Sequence, residues 1–529
     1  MMEISGFSLH TLFVLLGSVA LLSAVQTYID FSRALRSIKH LPGHRTLISS
    51  ATLIGNIFPR IPFISLGHDH LWRLKHSTFV DKGLDIVSSV ALWPKGLVSV
   101  WIADAAVIKE VVWSRGRFPK PLHQYTILTF FGGNIVVSEG DEWKRYRKIV
   151  APAFSDRNNR LVWNETCRIM LDLFDNVWAG KDEITVDHGV DLTLPIALFV
   201  IGAAGFGRNI SWQEDAIIPP GHKMTFKDAL HIVTTNLVLK LTVPKWAFGL
   251  TKRLQRTWLA FEELERYLYE MIQARKNAEI KEERHDLFNS LLAANDDADL
   301  SSDEVRLSDS ELVGNIFIFL VAGHETTAHS LCFALAMLAL YPDEQEILHQ
   351  HIKGVLPDGR IPAYEDMTQL TRSFAVFNEA LRMFPPVTGI PKSFAEDTSF
   401  VTPNAAGENT TVTIPRGAVM SLDVPGLHYN PRYWEDPHTF KPSRFLGDWN
   451  RDAFLPFSAG HRGCVGRKFS ETEGTAVLTL FIMRYKVEIK EEPQFASETF
   501  EQRKERILDA RSTVTLAPTR VPFVFKRRD

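Results

Sequence analysis

The chain has 529 residues, 45% hydrophobic and 23% charged, which describes a globular protein with a large core and excludes a disordered or fibrous one. Its formal net charge of −3, without a long basic run, leaves no electrostatic footprint for nucleic acid. Three cysteines, Cys167, Cys332 and Cys464, are too few for a disulfide scaffold and odd in number, which points to a reducing compartment.

Residues 4–29 are dominated by apolar side chains, densest over 12–25. A bilayer span needs roughly 20 such residues. Glu3 precedes the run, and Arg33, Arg36, Lys39 and Arg45 follow it. That asymmetry predicts an N-terminal anchor over residues 1–30, with the bulk of the protein on the cytosolic side. A cleaved signal peptide is the alternative, but it should begin with a basic region. Residues 31–45 form a basic, proline-containing hinge, and 46–529 make up the rest. Asn-x-Ser/Thr triplets at Asn164, Asn209 and Asn409 are chance matches on the cytosolic side.

Residues 84–102 alternate and carry Val, Ile and Trp, as strands do. Residues 117–133 mix Pro, Gly and aromatics and predict a loop. A helix is expected over 142–154, with Trp143 and Arg147 four apart on one face. Residues 191–206 predict an apolar core helix, and 225–241 and 250–278 two more. Trp246 and Phe248, in the connection between that pair, suit a membrane interface. Residues 295–303 are acidic and predict a surface linker.

The longest helix starts at a capping box, Ser308 with Glu311, and runs apolar over 312–340. A second membrane span would have this composition, but Glu325 would be expensive in lipid. Gly323 costs about 1 kcal/mol of helix propensity relative to Ala. Both residues fit a helix opened locally over a cofactor. A helix over 371–384, closed by Pro385 and Pro386, carries Glu379 and Arg382 one turn apart. Residues 412–422 are β-rich, 430–448 form an irregular meander, and 485–489 and 513–516 predict closing strands.

Phe457-Ser-Ala-Gly-His-Arg-Gly-Cys-Val-Gly466 places Cys464 in a glycine-rich turn before a helix expected over 465–483. A helix N-terminus offers unpaired N–H groups and a positive dipole end, which predicts a lowered thiol pKa. Gly460, Gly463 and Gly466 let a flat partner approach the backbone, and Arg462 adds positive charge. The stretch also admits a buried structural cysteine or a reactive nucleophile. A cysteine thiolate is one known haem ligand.

The spacing of Phe457, Gly460, Arg462, Cys464 and Gly466 resembles the haem-binding signature of the cytochrome P450 monooxygenases, in the style of their fungal members. Three further stretches resemble family motifs in family order: Trp143 with Arg147, the run Ala322-Gly-His-Glu-Thr-Thr327, and Glu379 with Arg382. The resemblance implies a mainly α fold with a smaller β-rich part, over a catalytic domain of residues 46–529. It implies haem b with Cys464 as axial ligand to the iron. Trp143, Arg147, Arg462 and, more weakly, Lys392 are then contacts to the haem propionates. Thr326 and Glu325 govern proton delivery in oxygen activation. Glu379, Arg382 and Arg444 form a structural charge network, although Ser443 stands where the family has glutamate, and Ser470 where it commonly has alanine. Ile127, Leu128, Phe130 and Phe131, with residues 387–390, become pocket candidates.

The activity implied is insertion of one atom of O2 into a lipophilic substrate, with a terpenoid skeleton marginally favoured. Electrons would come from a separate NADPH-cytochrome P450 reductase, with cytochrome b5 as a second candidate, at the endoplasmic reticulum membrane. Arg145, Lys148 and Lys468 could dock an acidic reductase. The rival readings are an O2-independent haem-thiolate isomerase or dehydratase, and a non-enzymatic haem-binding membrane protein.

Overall fold

The computed structural model describes residues 9–528, apart from 53, 56–57, 209–211, 213–216, 278–285 and 297–305. Asn209 and most of the expected acidic linker therefore lie outside the described residues. The chain divides into two compact units, described separately below. One comprises residues 1–121, 388–435 and 451–462, and the other 122–387, 436–450 and 463–529.

The first unit begins with a helix, Leu9–Ser37, that continues past the expected anchor boundary into the hinge. Its segment Phe13–Ser37 has a mean hydropathy of 1.5 and leaves Phe13, Leu16, Val19, Leu21 and Leu22 exposed. It is long and apolar enough to cross a membrane. The body of this unit is a five-stranded mixed sheet. Its order is Gly43–Ile48, Ile86–Trp93, Val98–Ile102, Val419–Asp423 and Gly389–Ser393. The expected β-rich stretch over 84–102 is a pair of antiparallel strands, with Val87 opposite Trp101. These two pack with Phe79 and Ala103 in a small core. A turn at Pro415 joins Asn409–Ile414 to Val419–Asp423.

The second unit is mainly helical and is built around the helix Asp309–Leu340, 32 residues long. Its capping box is formed: Ser308 Oγ accepts from the Glu311 N–H, and Glu311 accepts from the Ser308 N–H at 2.8 Å. The helix passes a hydropathy test for a membrane span, but 83% of that span is buried inside the protein, so it is core. Gly323 does not open it, since the helix runs unbroken through that position. A Cβ on Gly323 would instead stand 3.3 Å from Ile201, so the glycine lets a neighbouring side chain approach.

Other expectations shift for local reasons. The helix expected over 191–206 is α-helical over Val190–Val200 and widens to a π-turn over Ile201–Gly205. The helix expected over 225–241 breaks at Asn236, whose amide donates back to the Ile232 carbonyl at 2.8 Å. The loop expected over 117–133 contains a short 3-10 helix, Leu122–Leu128. Thr513–Thr515 is a turn between strands Ala510–Ser512 and Leu516–Pro518, because the Thr513 hydroxyl and N–H bond the Thr515 carbonyl. The strand Tyr485–Ile489 falls where expected and pairs with Phe523–Arg527. Phe248 is buried against Trp258, so of the two proposed interface aromatics only Trp246 is exposed.

Candidate active site

In the second unit, the helix Arg467–Arg484 is capped by Gly466, so Cys464 precedes its first turn. Cys464 is crowded by protein atoms yet keeps accessible surface. Its thiol is not lowered in the way the helix N-terminus predicted. Burial pushes it up, outweighing the Gly466 N–H, Arg147 and Arg467. Burial pushes the other two thiols up as well, Cys167 to about 12 and Cys332 higher still, which disfavours their thiolates.

The helix Gly140–Val150 brings Arg147 to this loop. Its Nη1 donates to the Gly463 carbonyl at 3.0 Å. Trp143, one turn earlier, is buried. Gly466 has φ −85°, which any residue adopts. A Cβ there would stand 3.6 Å from Phe154 and 3.9 Å from the Cys464 sulfur, an ordinary fit within the chain. It would occupy the space beside the sulfur.

The long helix exposes one patch. Ala322 is exposed, and Gly323 and Thr326 are half-exposed, while every other position over 312–338 is buried. These three share a face, so they border open space. Thr326 Oγ1 donates to the Ala322 carbonyl at 2.7 Å, the back-bonding common for helical threonines. Glu325 is buried. Thr327 Oγ1 lies 3.1 Å from Ser470 Oγ on the cysteine helix. His324, which the sequence did not single out, donates from Nδ1 to the Leu320 carbonyl at 2.6 Å; burial holds its pKa down.

Glu379, Arg382 and Arg444 meet in one charged cluster. Glu379 and Arg382 are both fully buried, with Arg382 Nε and Nη2 at 2.7 and 2.9 Å from the two carboxylate oxygens. Arg444 Nε donates to Glu379 at 3.1 Å, and so does the Lys441 N–H at 2.9 Å. Arg382 also donates to the Pro437 carbonyl at 2.9 Å. One buried carboxylate thus fixes the chain over 437–444, and it does so with serine at position 443. A lone buried pair would be a weak source of stability; the added backbone donors are what compensate its desolvation.

A second network was not legible in the sequence. Glu311, besides capping its helix, accepts from Arg145 and from the Tyr146 hydroxyl, the latter at 2.8 Å. Burial opposes its ionisation, yet these donors hold its pKa at about 2. Arg145 is committed to this pair and to the Arg306 carbonyl, and so is not an exposed docking cation. Lys148 and Lys468 remain exposed. Among the pocket candidates, Phe131 is core, packed on Phe317 at 4.5 Å between ring centroids. Ile127, Leu128 and Phe130 are partly buried beside the same cluster, and Val387 is exposed.

The first unit carries the remaining motif residues. Phe457 and Arg462 are half-buried. Gly460 has φ +63°, and a Cβ there would stand 2.4 Å from the Val112 carbonyl, so only glycine fits. Lys392 is buried in its strand, opposite Met420.

Comparison with known proteins identifies the family. The family pattern described as Cytochrome P450 matches residues 84–507. The chain is 57% identical to Cytochrome P450 monooxygenase 124 of Postia placenta, over 98% of this chain and 100% of that one. It is 30% identical to Cytochrome P450 monooxygenase ORF6 of Penicillium roqueforti, over 92% and 89%. The crystal structure of the cytochrome P450DA heme domain shares the fold, with a TM-score of 0.70 and 20% identity over 87% of this chain and 94% of that one. This relatedness leads to one conclusion: the chain belongs to the cytochrome P450 family, and it is a haem monooxygenase.

Proposed function

We propose that this enzyme holds haem b through the Cys464 sulfur and inserts one oxygen atom into a lipophilic substrate. The observation that carries the reading is Cys464 itself: deep in the protein, bordered by Gly466, and with accessible surface. The donor set fits the group. When bound, haem supplies the redox centre at which O2 is activated, and a coordinated thiol is deprotonated outright, overriding the upward push of burial.

The protein's own residues supply position, charge and dryness. Arg147 holds the Gly463 carbonyl and places its charge near the sulfur. Trp143, Arg147, Arg462 and Lys392 would hold the haem propionates, and Phe457, Gly460 and Gly466 would shape the cysteine turn that receives the haem. Thr326, on the patch facing open space, and the buried Glu325 beside it are assigned to proton delivery. The apolar walls of the long helix keep bulk water away. Glu379, Arg382 and Arg444 keep the meander in place.

The helix Phe13–Ser37 supports a single-pass anchor in the endoplasmic reticulum membrane, with a cytosolic catalytic domain. That setting suits electrons from an NADPH-cytochrome P450 reductase, with cytochrome b5 as a second donor. The substrate assigned is a membrane-partitioning hydrocarbon, such as a terpenoid of secondary metabolism, oxidised once or in succession.

The carbon monoxide difference spectrum of the reduced protein tests the first step. A strongly red-shifted Soret band, absent in Cys464→Ser, is expected. A haem-loaded protein without that band sinks the assignment. Turnover without oxygen uptake would favour the isomerase or dehydratase reading.

A further inference from the structure

A cavity of about 370 Å³ lies in the second unit, and none of its walls belongs to the site described above. Phe206, Met271 and Phe288 give it an apolar side, with the Phe206 and Phe288 ring centroids 6.3 Å apart. Arg208, His222 and Tyr267 line it as well. This size, and this mix of apolar walls with a few polar groups, are those of a pocket for a small ligand.

The polar side is fixed in advance. The His222 ring stacks on that of Tyr267, with 3.7 Å between centroids and 2° between planes. His222 Nδ1 lies 2.8 Å from Glu263, and Nε2 lies 2.9 Å from Glu270. The Tyr267 hydroxyl donates to the Met224 carbonyl at 2.9 Å, and Arg266 donates to the Gly221 carbonyl at 2.7 Å. Residues 221–224 are thus fastened to the helix Lys252–Lys276. The other charges of the wall are matched. Glu270 has His222, and Arg275 donates to Asn289 at 2.8 Å, to Asp286 at 3.2 Å and to the Phe206 carbonyl at 3.0 Å. Arg208 is the exception. It is half-buried, with its guanidinium 5.0 Å from the Phe226 ring and 5.4 Å from the Tyr267 ring, and it has no side-chain hydrogen bond or ion pair among the described residues. Ring contacts occupy the faces of a guanidinium and leave the N–H donors along its edge open.

We propose that this cavity binds a small organic carboxylate with an aromatic or apolar body, held by Arg208. A guanidinium edge meets a carboxylate with two parallel N–H···O bonds, and one unmatched cation suits one negative charge. The body of the ligand lies against Phe206, Met271 and Phe288, where a bare inorganic ion would gain nothing. Arg208 follows the π-turn Ile201–Gly205, and its N–H donates to the Gly202 carbonyl at 2.9 Å. The same turn sets Ile201 against Gly323 of the long helix. A ligand on Arg208 therefore sits at the end of a turn that packs against that helix.

The inference goes beyond the monooxygenase reading, and its test needs no turnover. Naphthoate is titrated by calorimetry into the full-length holoenzyme, with naphthamide as the uncharged counterpart. Naphthoate should bind with a Kd of about 1 mM or tighter and raise the Tm. Naphthamide should bind about tenfold to a hundredfold more weakly, the range for lost charged hydrogen bonds. Arg208→Gln should weaken naphthoate by the same factor, and Arg208→Lys should recover only part of it. Met271→Trp fills the cavity with Arg208 in place and should abolish binding. The Soret band should stay unshifted as naphthoate binds, which separates this site from the haem pocket. The comparison of naphthoate with naphthamide uses the unaltered protein, so it stands even if a variant fails to fold. Equal affinity for the two probes, or no binding of naphthoate, overturns the site. So does naphthoate binding that shifts the Soret band and persists in Arg208→Gln and Met271→Trp.

Discussion

Arg147 donates to the carbonyl of Gly463, the residue before Cys464, at 3.0 Å, across more than 300 positions of sequence. The cysteine loop is therefore held from outside by a charged donor. Replacing Arg147 by Ala leaves that carbonyl without its partner. A hydrogen bond from a charged group is worth about 1.5–3 kcal/mol, and a loss of this size is expected in urea unfolding. Haem retention should fall with it. Lysine, with a compact charge and no guanidinium fork, should restore only part of both.

Gly460 and Gly466 make a contrasting pair. At Gly460, φ +63° and the Val112 carbonyl 2.4 Å from a Cβ both oppose a side chain. Gly460→Ala should cost about 1–3 kcal/mol in unfolding experiments. Gly466→Ala meets ordinary contacts only and should leave apoprotein stability unchanged. Its Cβ would stand beside the Cys464 sulfur, so haem content should drop. Parental haem content in Gly466→Ala would refute the cradle.

Glu379 anchors two arginines and a backbone N–H in a fully buried position. Glu379→Ala strands Arg382 in the core. Breaking a buried pair from one side costs about 3–5 kcal/mol, measurable by thermal or denaturant unfolding. Arg444→Ala should cost less, because Arg382 still satisfies the carboxylate.

Glu311 links stability to pH. Its folded pKa of about 2 lies below the ordinary 4.5, so the group stabilises the fold above about pH 4.5. That contribution is lost as pH falls from about 4.5 through about 2. Glu311→Gln should lower stability near neutral pH by about 1–3 kcal/mol and flatten the acid limb in that window. An unchanged slope between the two proteins would remove Glu311 from the account.

Thr326→Ala deletes a hydroxyl bonded to its own helix at 2.7 Å, so the fold should lose under about 1 kcal/mol. Coupling should suffer much more. Product per electron should fall about tenfold or more, with peroxide as the outlet. Equal coupling in both proteins would leave Thr326 as an ordinary back-bonded threonine.

What the sequence determined alone is what short-range geometry dictates. Ser308 with Glu311 and Glu379 with Arg382 are three apart, and a 3.6-residue turn puts such pairs together without further information. The glycine turn ahead of Cys464 and the helix after it are equally local. The apolar run over residues 4–29 was legible for the same reason.

Tertiary structure decided the rest, because burial and distant partners have no local signature. Arg145 looked like a surface cation until Glu311, 166 positions away, took it. Gly323 resembled a break until Ile201 was found against it. Helix position predicted a lowered Cys464 pKa, and desolvation, which depends on every neighbour in space, reversed the sign. Glu473 gave no signal in the sequence at all: an acid on a helix is ordinary, and only the fold that buries it leaves its two oxygens without a hydrogen-bond partner among the described residues.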